Sequence, residues 1–493
     1  MSAPIVVIGG GVDALVAAHW LARAGKRVVL LDERAASTAA SLASGWIPPV
    51  IVRDLALLQN GLAVQAPDPW ISAPSLDGRR LDLWQDAARS ADSIRQFSAR
   101  DAERWPVFCE QMHRHAGLIE ALYTAPPPDV MTHDWRELAR VAGLALRARR
   151  LGRAALEGFL RVMPMSVADF LDDWFDSDVL KGVLGAGGVM HLQQGPRSGG
   201  TAFGLLHHHV GSRLGVFRPS FSNIVQVLEK LPGIERRVNA TVKQIDVAAG
   251  RVTGVTLADG SRIEASCVVS GAHPRCTLLE CIDAGWLDPE LTRGLRNIRA
   301  RGVVAHVVLT LDRAPGFSTL AIAPSLDYLE RAYDDAKYRR VSRAPFIEAR
   351  YESEMGAGRH TVNAHVQYAP YALAEGKWDD VRKRALAEAV IAALADHVPR
   401  ESIRDTAIVS PSDLEAFEGM PEGQAHHAEL ALDQLLWMRP LPSLARYRTP
   451  INGLYLCGPA MHPGAGIAGA SGMLAAQTML RDQSGLRDQS GSL

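Results

Sequence analysis

Residues 4–14, Pro-Ile-Val-Val-Ile-Gly-Gly-Gly-Val-Asp-Ala, decide the fold. Residues 4–8 form a short β-branched run, which predicts a buried parallel strand. Val12–Ala24 carries apolar residues at helical spacing, and Gly25 ends that helix. Arg27–Leu31 predicts a second buried strand. The N-terminal region is therefore a βαβ unit, and we expect an α/β protein with a Rossmann-like domain.

The glycines between this strand and helix have the spacing of a dinucleotide-binding loop. Gly9 permits a tight turn, Gly11 lets the backbone approach a pyrophosphate, and Ala14 keeps helix and strand close. The N–H groups at the helix N-terminus favour phosphate. Asp32, 21 residues after Gly11, ends the second strand, where a carboxylate can bind the adenosine ribose. The predicted cofactor-binding residues here are Gly9, Gly11, Ala14, Asp32, Glu33 and Arg34.

A second glycine-rich segment, Gly185-Ala-Gly187-Gly188, repeats this pattern only superficially. Met190 occupies the third position, and no acidic residue follows at the required distance. We therefore interpret the segment as a site of helix packing and expect no second nucleotide-binding domain.

Composition excludes several classes of protein. The 493 residues suffice for roughly two to four domains and a large core. With 53 Lys and Arg against 54 Asp and Glu, no net charge would attract nucleic acid. The five cysteines suit a reducing compartment. Cys276 and Cys281 have a spacing known from dithiol enzymes, but nothing nearby activates a thiolate, so structural thiols are favoured.

The sequence indicates a cytoplasmic protein. Ala3–Ala22 is apolar enough to suggest a signal anchor, but it lacks a basic flank and is interrupted by glycines, Asp13 and His19. Leu144–Arg161 predicts a helix rich in arginine. Such a helix can rest on the surface of an anionic membrane, and a solvated helix face is the alternative.

The remaining pattern predicts helices and strands in alternating blocks. We expect helices around Arg53–Asn60 and Ser90–Leu122, and a hairpin at Asp77-Gly78. A second hairpin joins Arg251–Leu257 to Arg262–Val269 around Asp259-Gly260. Further expected elements are the strands Val303–Leu311, His360–Tyr368 and Gly453–Leu456 and the helices Asp379–Val398 and Ser471–Leu480.

The C-terminal stretch carries a family likeness. Gly453-Leu-Tyr-Leu-Cys-Gly458 and His462-Pro-Gly-Ala-Gly466-Ile-Ala-Gly469-Ala-Ser-Gly472 resemble the closing FAD motif of phytoene-desaturase-type FAD-dependent oxidoreductases, in particular the branch called pyridine nucleotide-disulphide oxidoreductase domain-containing protein 2. The likeness covers nearly the whole chain and is carried also by Met165–Phe170, Gly195–Ser198, Leu205–His208, Val268–Pro274, Leu432–Gln434 and Met438–Pro440.

The resemblance implies FAD in an extended pose beneath an apolar substrate domain. It implies a discontinuous Rossmann-like FAD-binding domain of residues 1–75, 215–290 and 410–482, and a mixed-sheet substrate domain with a helical insertion, residues 76–214 and 291–409. Residues 483–493 are expected to be a disordered tail. The resemblance adds Val242, on the adenine side, and Gly458, Gly466, Gly469 and Ala470 as cofactor-binding residues. A helix N-terminus from Gly469 to Gly472 would stabilise the negative charge that hydride transfer to flavin N5 leaves near N1 and O2.

Three residues are candidates for catalysis. His462, before the flavin-facing loop, is the first, and a histidine that merely caps the loop is the alternative. His427 and Glu429 match a His-x-Glu pattern of the family, and a buried hydrogen-bonded pair that serves only stability is the alternative. The adjacent His207, His208 and His209 suggest metal binding, but consecutive side chains do not easily face one ion, and we expect no metal.

Three functions remain open. The first is an FAD-dependent dehydrogenase or oxidase of an apolar isoprenoid, lipid-like or aromatic compound, with oxygen, a quinone or another acceptor; amine oxidation is a variant of it. The second is an isomerase or saturase that uses FAD without net redox. The third is a binding protein on a flavin fold that has lost glycines, as Thr38-Ala39 and Ser222 suggest. The expected partner is a small molecule rather than nucleic acid, and a homo-oligomer is compatible with the sequence.

Overall fold

The computed structural model describes residues 3–34, 45–65, 67–128, 135–150, 152–212, 220–221, 223–354 and 359–484. Thr38, Ala39, Ser222 and most of the expected C-terminal tail lie outside these ranges. The strands are β1 Ile5–Ile8, β2 Val28–Leu31, β3 Val64–Gln65, β4 Ile71–Pro74, β5 Arg80–Leu83, β6 Ser220–Phe221, β7 Glu235–Arg237, β8 Val242–Ala248, β9 Arg251–Leu257, β10 Arg262–Glu264, β11 Cys267–Ser270, β12 Val304–Leu311, β13 Thr319–Ile322, β14 Ile347–Glu354, β15 Arg359–Gln367, β16 Ile403–Val409 and β17 Leu454–Leu456.

The helices surround these strands on several sides. They are α1 Val12–Arg23, α2 Pro49–Asp54, α3 Ala87–Arg95, α4 Ala99–Tyr123, α5 Trp135–Arg150, α6 Arg153–Val162, α7 Val167–Asp172, α8 Asp178–Val189, α9 Thr201–His209, α10 Ile224–Lys230, α11 Pro289–Arg296, α12 Leu326–Lys337, α13 Asp380–Ala393, α14 Pro411–Glu418 and α15 Ala470–Gln483. Among the described residues, no helix is both long and apolar enough to cross a membrane.

A five-stranded parallel sheet forms the first layer, in the order β17-β11-β1-β2-β7. Its central strands are buried and β-branched, as strands covered on both faces must be. The predicted βαβ unit is confirmed, because β1 pairs with β2 in parallel and α1 connects them. The sheet unites segments more than 400 residues apart in the sequence, from Ile5 to Leu456.

A seven-stranded mixed sheet forms the second layer, in the order β16-β12-β15-β14-β13-β4-β5. The predicted hairpin at Asp77-Gly78 joins its last two strands. The strand β4 pairs with β13 in this sheet, although residues up to 75 were expected in the FAD-binding domain. Apolar and polar side chains alternate along β12 and β15 and therefore point to opposite faces of the sheet. The apolar face packs against α13 in a core, and the other face carries polar side chains.

Two predicted helices and one predicted strand are each two separate elements in the structure. The helix expected over Ser90–Leu122 is α3 and α4, because Ser98 caps a new helix by accepting the N–H of Asp101 (3.1 Å). The arginine-rich helix is α5 and α6, separated near Gly152, which has a φ of 85°. The strand expected over Arg262–Val269 is β10, in a three-stranded sheet with β8 and β9, followed by β11 in the parallel sheet.

The glycine-rich segment 185–188 lies in α8 and packs against neighbouring helices, as predicted. A Cβ atom at Gly188 would lie 2.8 Å from the carbonyl oxygen of Thr201 and 2.9 Å from the side chain of Val167. The glycine therefore permits close contact of α8 with α9 and α7.

Candidate active site

Four loops meet at the carboxyl edge of the five-stranded sheet. They follow β1, β2, β11 and β17, which are parallel neighbours and therefore end on the same side. The loops contain Gly9–Gly11, Asp32–Arg34, Gly271–His273 and Gly458. Open α/β sheets bind their ligands at this edge. The structure thus brings the predicted N-terminal and C-terminal motifs together at one site.

The first loop leaves the N-terminus of α1 open. Gly11 is the N-cap residue, with extended backbone (φ −73°, ψ 165°) and no side-chain cap. A Cβ atom at Gly11 would have no atom within 4 Å, so free space adjoins the helix N-terminus. Gly9 has a φ of 107°, and Ala14 is buried where α1 crosses β1 and the loop after β11. The tight turn at Gly9 and the close packing at Ala14 are as expected, and the space at Gly11 would admit a phosphate.

Asp32 is a buried carboxylate at the end of β2. Its oxygens accept hydrogen bonds from the backbone N–H of Arg34 (3.1 Å) and from Nη2 of Arg236 (2.8 Å). Its carbonyl accepts the N–H of Ala240 (2.9 Å), which places the start of β8 at Val242 beside it. Glu33 is exposed, and the Arg34 side chain binds Glu418. Arg236 comes from the edge strand β7 and was not among the residues predicted for this site.

We expect Asp32→Ala to weaken FAD binding by about 1–3 kcal/mol, because the ribose would lose a charged hydrogen-bond acceptor. Arg236 keeps its ion pair with Glu229 (2.8 Å), so it does not become an isolated charge. Titration of the apoprotein with FAD measures the Kd. Asp77→Ala, in the exposed β4–β5 turn, is the control and should not change it. Unchanged FAD affinity in Asp32→Ala would contradict the assignment.

The closing motif supplies the opposite side of the site. Gly458 has a φ of 102°, and a Cβ atom there would lie 2.7 Å from the carbonyl oxygen of Gly271. Gly466 has a φ of 82°, and its carbonyl accepts the N–H of Trp46 (2.9 Å). Gly469 is the N-cap of α15, with a φ of 77°, and Ala470 behind it is fully buried. The positive φ favours glycine at all three turns, and close contact also requires it at Gly458 and Gly469.

The N-terminal turn of α15 packs directly on that of α1. A side chain at Gly472 would collide with the Asp13 carbonyl oxygen, and the N–H of Gly472 donates to Asp13 Oδ1 (3.3 Å). Burial raises the pKa of the Asp13 carboxyl to about 6, although backbone N–H groups of this turn oppose the shift. Asp13 therefore already uses at least one N–H donor of the helix N-terminus that was expected to face the flavin.

Asp13→Asn should make the apoprotein more stable at pH 8 by about 1–3 kcal/mol. A pKa raised from 3.8 to about 6 corresponds to about 3 kcal/mol of destabilisation by the ionised form. This destabilisation is small at pH 4, grows between pH 4 and pH 6, and is fully present above pH 6. The asparagine oxygen can still accept the N–H of Gly472.

Urea denaturation of both proteins at pH 4 and pH 8 measures the difference. The variant and the wild type should be similar at pH 4 and diverge at pH 8. Glu33→Gln, which removes an exposed carboxylate, is the control and should not alter the pH dependence. A stability gap for Asp13→Asn that is the same at both pH values would contradict the argument.

His462 is buried at the start of the flavin-facing loop. Its Nε2 lies 3.1 Å from the carbonyl oxygen of Leu122 and 3.2 Å from that of Ala125, at the end of α4. Burial lowers the pKa of its ring to about 4, so the ring is neutral. Tyr447 Oη donates to the carbonyl of His462 (3.0 Å). These contacts fit the alternative in which His462 holds the loop in place.

Glu429 is buried and His427 is half-buried, and they point to different partners. The Glu429 carboxylate accepts from Nε and Nη2 of Arg301 (2.7 and 2.9 Å). The His427 ring faces that of His273, 6.2 Å away between centroids, and its Nδ1 has no hydrogen-bond partner among the described residues. Burial, with the charges of Arg439 and Arg34, lowers the pKa of His427 to about 4. The expected His–Glu pair is therefore replaced by an Arg–Glu pair.

Arg439 is a buried cation beneath the closing loop. Its guanidinium donates to main-chain carbonyl oxygens on both sides, those of His426, Ala428, Glu429, Gln434, Pro459 and Met461, at 2.6–3.4 Å. Burial lowers its pKa to about 10, which leaves it charged at neutral pH. It thus joins the segment 426–434 to the loop that begins at Pro459.

Arg439 and His273 lie in two of the family motifs, Met438–Pro440 and Val268–Pro274, and neither residue was predicted to have a role. A signal existed for both, since an arginine within an apolar motif and a histidine directly after a buried strand are unusual placements. Asp13 gave a similar signal inside the glycine loop. Arg236 and Arg301 gave none, because only their tertiary partners distinguish them from surface arginines.

The residues of this edge fit a bound dinucleotide. Space adjoins the uncapped helix N-terminus at Gly11, as a pyrophosphate would require. Three buried polar atoms, His273 Nε2, His427 Nδ1 and Ser471 Oγ, have no hydrogen-bond partner among the described residues. Buried polar atoms are normally hydrogen-bonded, so these point to a polar ligand.

The cysteines and the consecutive histidines are the two other groups of side chains that the sequence offered for chemistry. The five cysteines are free thiols, and burial raises the pKa of Cys276 to about 12 and that of Cys281 above its ordinary value. In the part of the chain that the structure describes, no group of three or more His, Cys, Asp or Glu side chains is arranged to hold a metal ion.

Comparison with known proteins agrees with this geometry. The family model described as flavin containing amine oxidoreductase matches residues 93–480, and the model described as FAD dependent oxidoreductase matches residues 4–180. The pyridine nucleotide-disulfide oxidoreductase domain-containing protein 2 of Rattus norvegicus is 30% identical over 94% of this chain and 91% of its own. The hydroxyneurosporene desaturase of Cereibacter sphaeroides is 27% identical over 94% of each chain.

Solved structures show the same fold at lower identity. A putrescine oxidase bound to putrescine is 15% identical, covers 98% of this chain and 99% of its own, and superposes with a TM-score of 0.60. The predicted α/β fold of FAD-binding oxidoreductases is thereby confirmed, and FAD is the cofactor that both family models indicate.

Proposed function

The chain belongs to the family of flavin-containing amine oxidoreductases, and from this premise we propose that it oxidises a largely apolar organic molecule at a C–H bond. When bound, FAD supplies the hydride acceptor, which oxygen, a quinone or another oxidant restores. The substrate classes we propose are isoprenoid, lipid-like and aromatic compounds. A relative named for desaturation of hydroxyneurosporene supports dehydrogenation of such molecules.

One observation carries the cofactor part of this proposal. The uncapped N-terminus of α1 at Gly11, with free space beside it, lies at the same sheet edge as the Asp32 carboxylate and the glycine turns of the closing motif. This arrangement allows N–H groups to bind the pyrophosphate while a carboxylate binds the ribose. It is the arrangement that FAD binding requires of the protein.

The protein's own side chains act mainly by positioning. Arg439 holds the segment 426–434 against the closing loop, and the ion pair of Arg301 with Glu429 ties the same segment to the chain just before β12. His427 is the candidate for contact with flavin or substrate, because its buried Nδ1 lacks a partner among the described residues. Neutral rings at His427 and His462 also keep further positive charge out of an apolar site.

Visible absorption spectroscopy of the purified protein tests the proposal. We expect a flavin spectrum close to one FAD per chain, and anaerobic bleaching of that spectrum by at least one compound of the proposed classes. A colourless protein that takes up no added FAD would overturn it. A coloured protein that a broad panel of apolar compounds fails to bleach would overturn the substrate assignment.

Amine oxidation is the second candidate, since the matching family is described by that reaction. Primary and secondary amines with the same carbon skeletons belong in the same panel. Bleaching of the flavin by amines alone, with release of ammonia or a smaller amine on reoxidation, would favour this candidate.

We also propose that α5 and α6 contact anionic membranes at the surface. Leu146 and Leu160 are 49% and 59% exposed, and the exposed Arg149, Arg150 and Arg153 accompany them. Apolar side chains beside basic ones suit an anionic lipid surface. We expect sedimentation with vesicles of phosphatidylcholine and phosphatidylglycerol, but not with phosphatidylcholine alone.

Charge reversal tests this surface directly. The double variant Arg149→Glu/Arg150→Glu should lose at least about 1 kcal/mol of vesicle-binding free energy for each reversed charge. Its affinity for the vesicles should therefore fall more than tenfold. The matched control Arg293→Glu/Arg296→Glu reverses two basic residues of α11 and should bind normally. Equal vesicle binding by both double variants would contradict the proposed surface.

A further inference from the structure

Four histidine rings, two of them buried and two half-buried, form a cluster on the polar face of the seven-stranded sheet. His306 of β12 and His365 of β15 are direct cross-strand partners, with ring centroids 5.1 Å apart. The ring of His191, which follows α8, lies 4.6 Å from that of His365 and 4.1 Å from that of His426. None of the four was predicted from the sequence to have a role. We call His191, His306, His365 and His426 the histidine cluster.

The protein holds the central ring of this cluster in an uncommon conformation. His191 has a φ of 59°, which a residue other than glycine adopts only when its surroundings impose it. Its N–H donates to Oε1 of Gln367 (3.0 Å), and its carbonyl accepts from Nε2 of Gln424 (2.9 Å). Two buried amide side chains thus fix the ring between its neighbours, and such strain is commonest at functional sites.

Ring contacts connect the cluster to the flavin-facing loop. The His426 ring lies 6.3 Å from that of His208, which is 5.3 Å from that of His207. Nε2 of His207 lies 2.7 Å from the carbonyl oxygen of Ala465 in the closing FAD motif. The cluster therefore lies between the polar sheet face and the loop that the proposed cofactor contacts.

Each ring of the cluster has a buried nitrogen without a hydrogen-bond partner among the described residues. These atoms are Nδ1 of His191 and His426 and Nε2 of His306 and His365. His191 and His426 are more than nine-tenths buried. Leaving a buried polar atom unpaired costs about 1–3 kcal/mol, and four in one place call for a ligand that supplies partners. A pure hydrocarbon supplies none.

The charges around the cluster favour an anionic partner. Burial lowers the pKa of all four rings, to about 3 for His191 and about 4 for His306, and the charge of Arg350 contributes at His191 and His365. Arg439 acts in the same direction on His426. Glu348, opposite His365, is paired with Arg350 (2.6 Å). Neutral rings can donate N–H groups to an anion, whereas the two arginines disfavour a cation.

We propose that the histidine cluster binds a carboxylate group of the substrate, with the apolar part of the same molecule reaching toward the flavin-facing loop. This inference rests on the proposed oxidation and narrows its substrate class to apolar molecules that carry a carboxylate. The rings donate N–H groups to the carboxylate oxygens.

Calorimetric titration of the FAD-loaded protein with decanoate, decanol and decylamine tests the proposal. These probes share one chain and differ in the charge of the head group. We expect decanoate to bind at least tenfold more tightly than the other two. His365→Leu should abolish this preference and raise the Tm of the free protein, because it removes an unpaired buried nitrogen. His306→Leu is the second variant if the first does not fold.

His360→Leu is the matched control on the same strand. His360 Nδ1 lies 2.7 Å from Tyr351 Oη, outside the cluster, so its loss should lower the Tm slightly and leave decanoate binding unchanged. The proposal is overturned if decanoate does not bind, if the three probes bind equally, or if the preference survives both cluster variants. Tighter binding of decylamine would also overturn it and would favour amine oxidation.

The titration separates this inference from the proposed function. If the protein binds FAD and an uncharged compound bleaches it, but decanoate is not preferred, the proposed function stands and the inference about the carboxylate fails. A protein without FAD loses the proposed function, and its binding of decanoate can still be measured on the apoprotein.

Discussion

Gly11→Val should abolish FAD binding and leave the fold intact. The added side chain would occupy the free space beside the N-terminus of α1, where the pyrophosphate must approach the backbone. The φ of Gly11 is −73°, an ordinary value for valine, and a Cβ atom there meets nothing within 4 Å. We expect FAD affinity to fall by roughly a thousandfold or more, about 4 kcal/mol, as measured by titration of the apoprotein.

Gly316→Val is the matched control for this change. It is the same substitution at another glycine whose Cβ would meet nothing within 4 Å, and it lies just before β13, away from the cofactor edge. Its FAD affinity should equal that of the wild type, and circular dichroism and Tm should be similar for all three proteins. Normal FAD content in Gly11→Val would show that the pyrophosphate lies elsewhere.

Arg439→Met should destabilise the protein by about 3–5 kcal/mol. The methionine fills a similar volume but leaves the carbonyl oxygens that Arg439 now binds without a donor in the interior. Because those carbonyls belong to both the segment 426–434 and the loop after Pro459, we also expect the FAD content of the purified protein to fall. Urea denaturation measures the first effect and absorbance at the flavin maximum the second.

Two further variants show whether the effect comes from the buried hydrogen bonds. Arg439→Lys keeps the charge but has fewer donors and lacks the planar fork, so its stability should lie between those of Arg439→Met and the wild type. Arg293→Met removes an exposed arginine of α11 with one long ion pair (3.4 Å) and should change stability by less than about 0.5 kcal/mol. A loss below about 1 kcal/mol in Arg439→Met would contradict the assigned role.

The elements that the sequence predicts correctly are those specified by neighbouring residues. The turn at Gly9–Gly11, the helix after it and the strand that ends at Asp32 follow from residue spacing alone, and the structure has each element in place. The hairpin at Asp77-Gly78 and the packing segment at residues 185–188 were predicted for the same reason. Two predicted helices were too long, because each is two helices in the structure. The helix cap at Ser98 divides the first, and the positive φ of Gly152 divides the second.

The roles of the candidate catalytic residues depended on distant partners. The spacing of His427 and Glu429 indicated a pair, but Glu429 binds Arg301 across 128 residues of sequence. His462 contacts carbonyls at the end of α4, more than 330 residues earlier. No local pattern records such contacts, because the chain closes these distances only when the two sheets and the helical layer pack together.

The sequence by itself determined the cofactor-binding unit, since a strand, a glycine turn, a helix and an acidic strand end within 30 residues specify one another through backbone geometry. It determined the family as well, through motifs spread over the chain. Only the tertiary structure decided which buried groups meet: Asp13 with the turn of Gly472, 459 residues away, Arg439 with two loops, and four histidines from separate segments. The physical reason is burial, because a charge or an imidazole removed from water must find its partner in three dimensions, wherever the sequence places it.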